Sequence, residues 1–185
     1  MAGFKWAGSD TAAELNGKLK MFHVDVGHAG VLGPGDLVIV TGTAELVTGI
    51  AEVDIGTANT ANTGVISGVL PNIATEALSQ TWLSASTAGY VLVNTDPFAL
   101  FAVDVANGPL AVADVSLNAP AVVTAGTATG SIYLSNMKVN STGKATTATL
   151  PLRIEGLLYG DDGVFGSRAL VRINASTSNI GATGV

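Results

Sequence analysis

A chain of 185 residues without cysteine can bury a core that needs no staples, and it can build neither a disulfide framework nor a thiolate metal site. Hydrophobic residues make up 48% and charged residues only 12%, about half the typical share; with abundant Gly, Ala, Val, Thr, Ser and Asn, this composition suits strands and tight turns better than long helices. The formal net charge of −6 speaks against direct nucleic-acid binding, and no window of about eighteen residues is continuously apolar, so no membrane-spanning helix is expected.

The first twenty residues read as an extended N-terminal arm (1–20). Thr11 and Glu14 form a capping-box pattern and Gly17 can stop the turn, so DTAAELNG can make one or two helical turns, too few to stand alone. The arm therefore needs a surface to dock on. The opening MAGFKWAGSDTAAELNGK has no apolar core of the length that secretion requires.

From Met21 the period changes to two. MFHVDV puts Phe22, Val24 and Val26 on one face and His23 and Asp25 on the other. GPGD turns the chain into LVIVTG, a run too apolar to alternate and so expected to be buried on both faces. Short strands follow at 45–50 and 51–55, then the loop GTANTANTG and the strand GVISGVL. Residues 72–88 read as irregular or as a short helix.

YVLVNTDPFALFAVDV is two strands around a corner, because Pro97 fixes its own φ and holds Asp96 extended. Both faces of 98–105 are largely apolar, which calls for protein on both sides. Residues 106–130, rich in Gly, Ala, Asn, Pro and Thr, mark a linker or crossover between two sub-halves of one β-rich domain spanning 21–175.

TATLPLRIEGLL alternates, with Leu150, Leu152, Ile154 and Leu158 pointing one way and Arg153 and Glu155 the other. YGDDG is a turn, RALVRIN a last strand with Leu170 set against Arg168 and Arg172, and residues 176–185 a flexible tail. Many short strands between turns indicate an all-β fold, a jelly-roll-like or Greek-key β-sandwich in preference to a small closed barrel.

Charge is distributed unevenly. Between Met21 and Met137 there is no Lys or Arg, yet nine carboxylates, so those carboxylates must face water or meet cations from elsewhere. The inventory for chemistry is thin. In His23-x-Asp25-x-x-His28 a metal pair on one strand face is possible, but His28 follows Gly27 into a turn and no third ligand is evident. There is no Gly-x-Ser-x-Gly elbow and no phosphate-loop or dinucleotide spacing. Asp161 and Asp162 between glycines make a hairpin turn more readily than a calcium loop. No catalytic residue, metal or cofactor is expected, and no enzyme activity. Trp6 and Trp82 are candidates for binding, since exposed tryptophan is common at interface hot spots.

Taken together, GPGDLVIVTGTAE, GVISGVLPNIATEALSQTWLSASTAGYVLVNTDP and LPLRIEGLLYGDDGVFGSRALVRIN resemble the capsid-associated cement or decoration proteins of short-tailed bacteriophages. That resemblance implies an all-β virion structural protein on the outer capsid surface, made in the bacterial host cytoplasm. Its partners would be the major capsid protein and copies of itself, as a dimer or trimer, with no nucleic acid and no membrane. On this reading Phe4 and Trp6 anchor the arm on the capsid or a neighbouring subunit, and Arg153, Arg168 and Arg172 meet partner carboxylates. The alternative is a receptor- or glycan-binding module of a phage fibre or spike, which the low aromatic content of 5% disfavours.

Overall fold

A computed structural model of the protein describes residues 3–9, 19–70 and 80–174. The fold is all-β, in two parts that share a wall. The helical turns expected at 10–17 and the tail at 176–185 lie outside the described residues, as do 72–79 of the segment read as irregular or a short helix; its described part, 80–88, is irregular.

The first part is a closed barrel. Strands β2 (Leu19–Val24), β3 (Leu37–Ala44), β4 (Ala51–Ile55), β5 (Gly64–Leu70) and β6 (Gly89–Asn94) run in the order β2-β4-β3-β5-β6, and β6 pairs back onto β2. The sequence reading favoured a sandwich. Closure was invisible to it because the seam between β2 and β4 is a single parallel pair, His23 opposite Glu52. Phe22 and Val24 point inward as the alternation requires and meet Val38, Val53, Ile66, Leu83, Val91 and Val93 in the barrel core. The strand ends at Val24, so Val26 is exposed instead of continuing the inward face.

The second part is a seven-stranded sheet. It contains β7 (Ala99–Ala106), β8 (Asn118–Ala119), β9 (Ala121–Val122), β12 (Lys138–Asn140), β13 (Leu152–Tyr159) and β14 (Phe165–Ile173) in the order β8-β13-β14-β7-β12-β9. Its seventh strand is β1 (Lys5–Ser9), which pairs antiparallel with β7. Outside it, β10 (Thr127–Thr129) and β11 (Ile132–Leu134) form a two-stranded hairpin. The chain crosses from barrel to sheet at Asn94–Phe98, not within 106–130. There Asn94 Oδ1 accepts from the Asp96 N–H and Asp96 Oδ1 from the Phe98 N–H, both at 3.0 Å, locking the corner that the NTDP sequence announces. Residues 106–130 carry a one-turn 3-10 helix (Val112–Asp114) and three short strands, too small to show in a Gly- and Ala-rich stretch.

LVIVTG fails to alternate for a reason the topology supplies. Leu37 faces the sheet core, packed among residues such as Phe101, Met137 and Ile154, while Val38 faces the barrel core. β5 repeats the pattern, with Val65 in one core and Ile66 in the other. The two strands partition the molecule.

In β13 the expected face holds for Leu152 and Ile154, both buried, and then reverses. A bulge between Ile154 and Gly156 shifts the register by one residue, so Leu157 packs on the core and Leu158 is left exposed. In β14 the buried face is Ala169, Val171 and Ile173, and Leu170 lies outward beside Arg168 and Arg172.

Candidate functional site

The arm is the first place where structure and expectation part. Phe4 is not displayed for a partner. Its ring is buried in the sheet core, edge-on to Phe101 with centroids 6.4 Å apart, and its N–H donates to the Gly35 carbonyl. Residues 5–9 continue as β1 on the molecule's own β7, with Lys5 opposite Ala102 and Ser9 opposite Ala99. A five-residue edge strand broken by a bulge at Gly8 carries no alternation signal, which is why an arm was read there. Trp6, one residue beyond the bulk of this anchor, is 47% exposed.

Trp6 stands on the rim of a groove of about 760 Å³ between barrel and sheet, whose lining includes Phe4, Val65, Phe101, Tyr133 and Leu134. Among the described residues β1 pairs only with β7 and β11 only with β10, so each of these two strands has a further backbone edge that no other strand takes up. Lys5 and Trp6 of β1 and Tyr133 and Leu134 of β11 line the groove, so apolar side chains and two singly paired strands lie together there, a combination that fits an extended polypeptide.

The tyrosine of this wall is tied into the interior. Tyr133 donates its hydroxyl to Asp36 Oδ2, and the Gly33 N–H donates to the same oxygen at 3.0 Å. Asp36 is wholly buried. Burial pushes the Asp36 carboxyl up to about 6 against the lowering effect of hydrogen bonds from Ser135, Tyr133 and the Gly33 N–H. Burial and then the neighbouring Asp36 raise the Tyr133 phenol as well. This pair is a structural strut behind the groove, and sequence reading missed it because Asp36 in GPGD looks like a turn residue.

The three arginines expected to meet partner carboxylates meet the chain's own. Arg153 and Arg172 lie opposite one another on β13 and β14, and both Nε atoms point to Glu155 Oε1, at 3.2 and 2.7 Å. Arg168 reaches Asp104 Oδ1 through Nε at 3.0 Å and Asp161 Oδ1 through Nη2 at 2.9 Å. The spacing Arg-x-Glu on one strand already held the first of these contacts. Asp162 accepts from the Val164 N–H and the Ser167 hydroxyl, so the Asp-Asp-Gly segment is organised as a hairpin turn. The Trp82 indole donates to the Gly130 carbonyl at 3.3 Å, tying its loop to the β10–β11 turn.

Compared with known proteins, the chain matches no family model, no curated protein and no solved structure. Its surfaces have to be read on their own terms.

Both imidazoles serve the fold. His23 closes the barrel seam, with Nδ1 at 3.2 Å from Glu52 Oε1 and the ring tilted against Tyr90. His28 sits between the Gly30 and Thr87 carbonyls, 2.7 and 2.9 Å from its two ring nitrogens. Among the described residues no three His, Asp or Glu side chains are arranged to hold a metal ion. No helix among them is long and apolar enough to cross a membrane.

Proposed function

We propose that this chain is a virion structural protein that binds the outside of a bacteriophage capsid and cements neighbouring capsomers. The observation that carries the reading is the apolar groove between barrel and sheet, flanked by the edges of β1 and β11 and rimmed by Trp6. Edge strands left open in this way invite a further strand, and natural proteins usually blunt them unless pairing is their purpose. An extended segment of a capsid subunit adding to β1 or β11 would gain backbone hydrogen bonds along its length and apolar pockets for alternate side chains. Repeated over a shell, contacts of modest strength become tight through effective concentration. A glycan would find little here, since the groove's polar side chains are few and the Tyr133 hydroxyl is engaged by Asp36.

The test uses shells purified from phage particles lacking the protein. Adding it back should give saturable co-sedimentation and raise the temperature at which the particles release DNA. Trp6→Ser should weaken binding several-fold without changing the stability of the isolated protein, because the side chain is half exposed. Absence of shell binding combined with retention on a glycan array would transfer the chain to the receptor-binding class.

A further inference from the structure

The hairpin joining β3 and β4 has an unusual tip. Glu45-Leu46-Val47-Thr48-Gly49-Ile50 is closed by Glu45 N–H to Ile50 O at 2.9 Å and by Gly49 N–H to Glu45 O at 2.8 Å, with Gly49 at φ +69° supplying the left-handed residue such a loop needs. Loop tips of this kind are ordinarily Gly, Asn, Asp or Ser. Here two large aliphatic side chains occupy it, Leu46 at 101% exposure and Val47 at 89%. A β-branched residue and a leucine in water at a turn stabilise nothing within this molecule. Local rules are broken at places where a sequence serves a function.

The tip is also held rigid. Glu45 at its base accepts from the Thr48 hydroxyl and, at 2.8 Å, from the Tyr90 hydroxyl on the barrel wall. Those hydrogen bonds, Thr48 first, hold the Glu45 carboxyl below its ordinary value. A displayed apolar pair whose backbone is already fixed loses little conformational entropy on docking.

The surroundings specify what it docks into. Asp25, Glu52 and Asp54 line one cleft beside Thr43, and His23 lies between Glu52 and Glu45, at 3.2 and 3.9 Å. Among the described residues of the barrel, Lys20 is the only Lys or Arg. An anionic lipid surface would repel such a face, since membrane-inserting tips are flanked by Lys and Arg. A protein pocket with cationic side chains around it would attract and orient it.

We infer that the Leu46–Val47 tip is a plug that inserts into an apolar, basic-rimmed pocket on the capsid subunit. The inference rests on the cement reading for the identity of the partner, and it adds a second contact, none of whose residues lines the groove. The probe is the same protein-free shell. Leu46→Ser/Val47→Ser should unfold in urea like the wild type, because fully exposed side chains at a turn contribute little to stability, yet lose at least tenfold in shell affinity. Asp25→Lys should weaken binding several-fold, and wild-type binding should weaken as salt is raised from 50 to 500 mM, on the order expected for screened charges. Wild-type binding with the double variant within twofold of it would overturn the plug and leave the cement reading standing. Wild-type protein that ignores shells altogether would remove both. Binding insensitive to salt and to Asp25→Lys would overturn the basic rim, and flotation with neutral phosphatidylcholine vesicles that depends on Leu46 and Val47 would replace the protein pocket with a lipid.

Discussion

Replacing Asp36 by Asn isolates the strut behind the groove. The folded protein holds this carboxyl at about 6 against 3.8 for the free group, because its burial outweighs the hydrogen bonds it accepts. The folded state therefore binds the proton more tightly than the unfolded chain. The stability this gives is fully present below pH 4 and is lost as pH rises through 6. A rise of about two pH units at ~1.4 kcal/mol each amounts to about 3 kcal/mol. Asp36→Asn keeps an acceptor for the Gly33 N–H and the Tyr133 hydroxyl and carries no charge. Urea unfolding of both proteins from pH 3.5 to 7.5 should give stabilities whose difference, variant minus wild type, grows by about 3 kcal/mol across the window from 4 to 6 and is flat above it. Taking the difference cancels the titration of the other carboxylates. Tyr133→Phe, which removes one donor from the carboxylate, should move the wild-type transition to higher pH. Curves that run parallel through that window would refute the argument, because they would mean that Asp36 ionises as freely folded as unfolded.

Phe4→Ala should destabilise the isolated protein by about 3 kcal/mol in urea, as core phenylalanine truncations do, even though the residue lies almost at the start of the chain. Removing the whole N-terminal segment would therefore test folding before it tested docking. Gly166 sits at φ +84° with its would-be Cβ 2.1 Å from the Leu110 carbonyl oxygen; Gly166→Ala should cost more than ~3 kcal/mol through strain and displaced backbone. Gly163→Ala, at φ +73° in open space, should cost only ~1–2 kcal/mol for its conformation, and a comparable loss in both variants would contradict the close approach.

Strand content was legible wherever one period persisted. Phe22 and Val24, Leu152 and Ile154, and the corner at Asp96–Pro97 behave as their spacing dictates. Legibility failed where a backbone event lasts one residue. The bulge before Gly156 exchanges Leu158 for Leu157, and the single His23–Glu52 pairing turns an open sheet into a barrel. Neither event leaves a trace in hydrophobic periodicity. Of the candidate contact residues, Phe4 is buried and the three arginines are held by the chain's own carboxylates, while Trp6 stays about half exposed. Phe4 and the arginines were recognised as unusual by type, but their partners lie between two and 97 residues away in the same chain. The Leu46–Val47 tip was visible in the sequence as an apolar pair at a turn, and was passed over because apolar residues near strands are read as strand.

The wall formed by β3 and β5 has a consequence for how the molecule responds to damage. Leu37 and Val38 are adjacent, as are Val65 and Ile66, yet the members of each pair belong to opposite interiors. Severing the polypeptide at its corner would leave the barrel core whole on one piece but take Phe4, Leu37 and Val65 from the sheet core, so the other piece would lack one flank of its interior. Because the sheet closes its core on the barrel's wall, heat should unfold the sheet no later than the barrel.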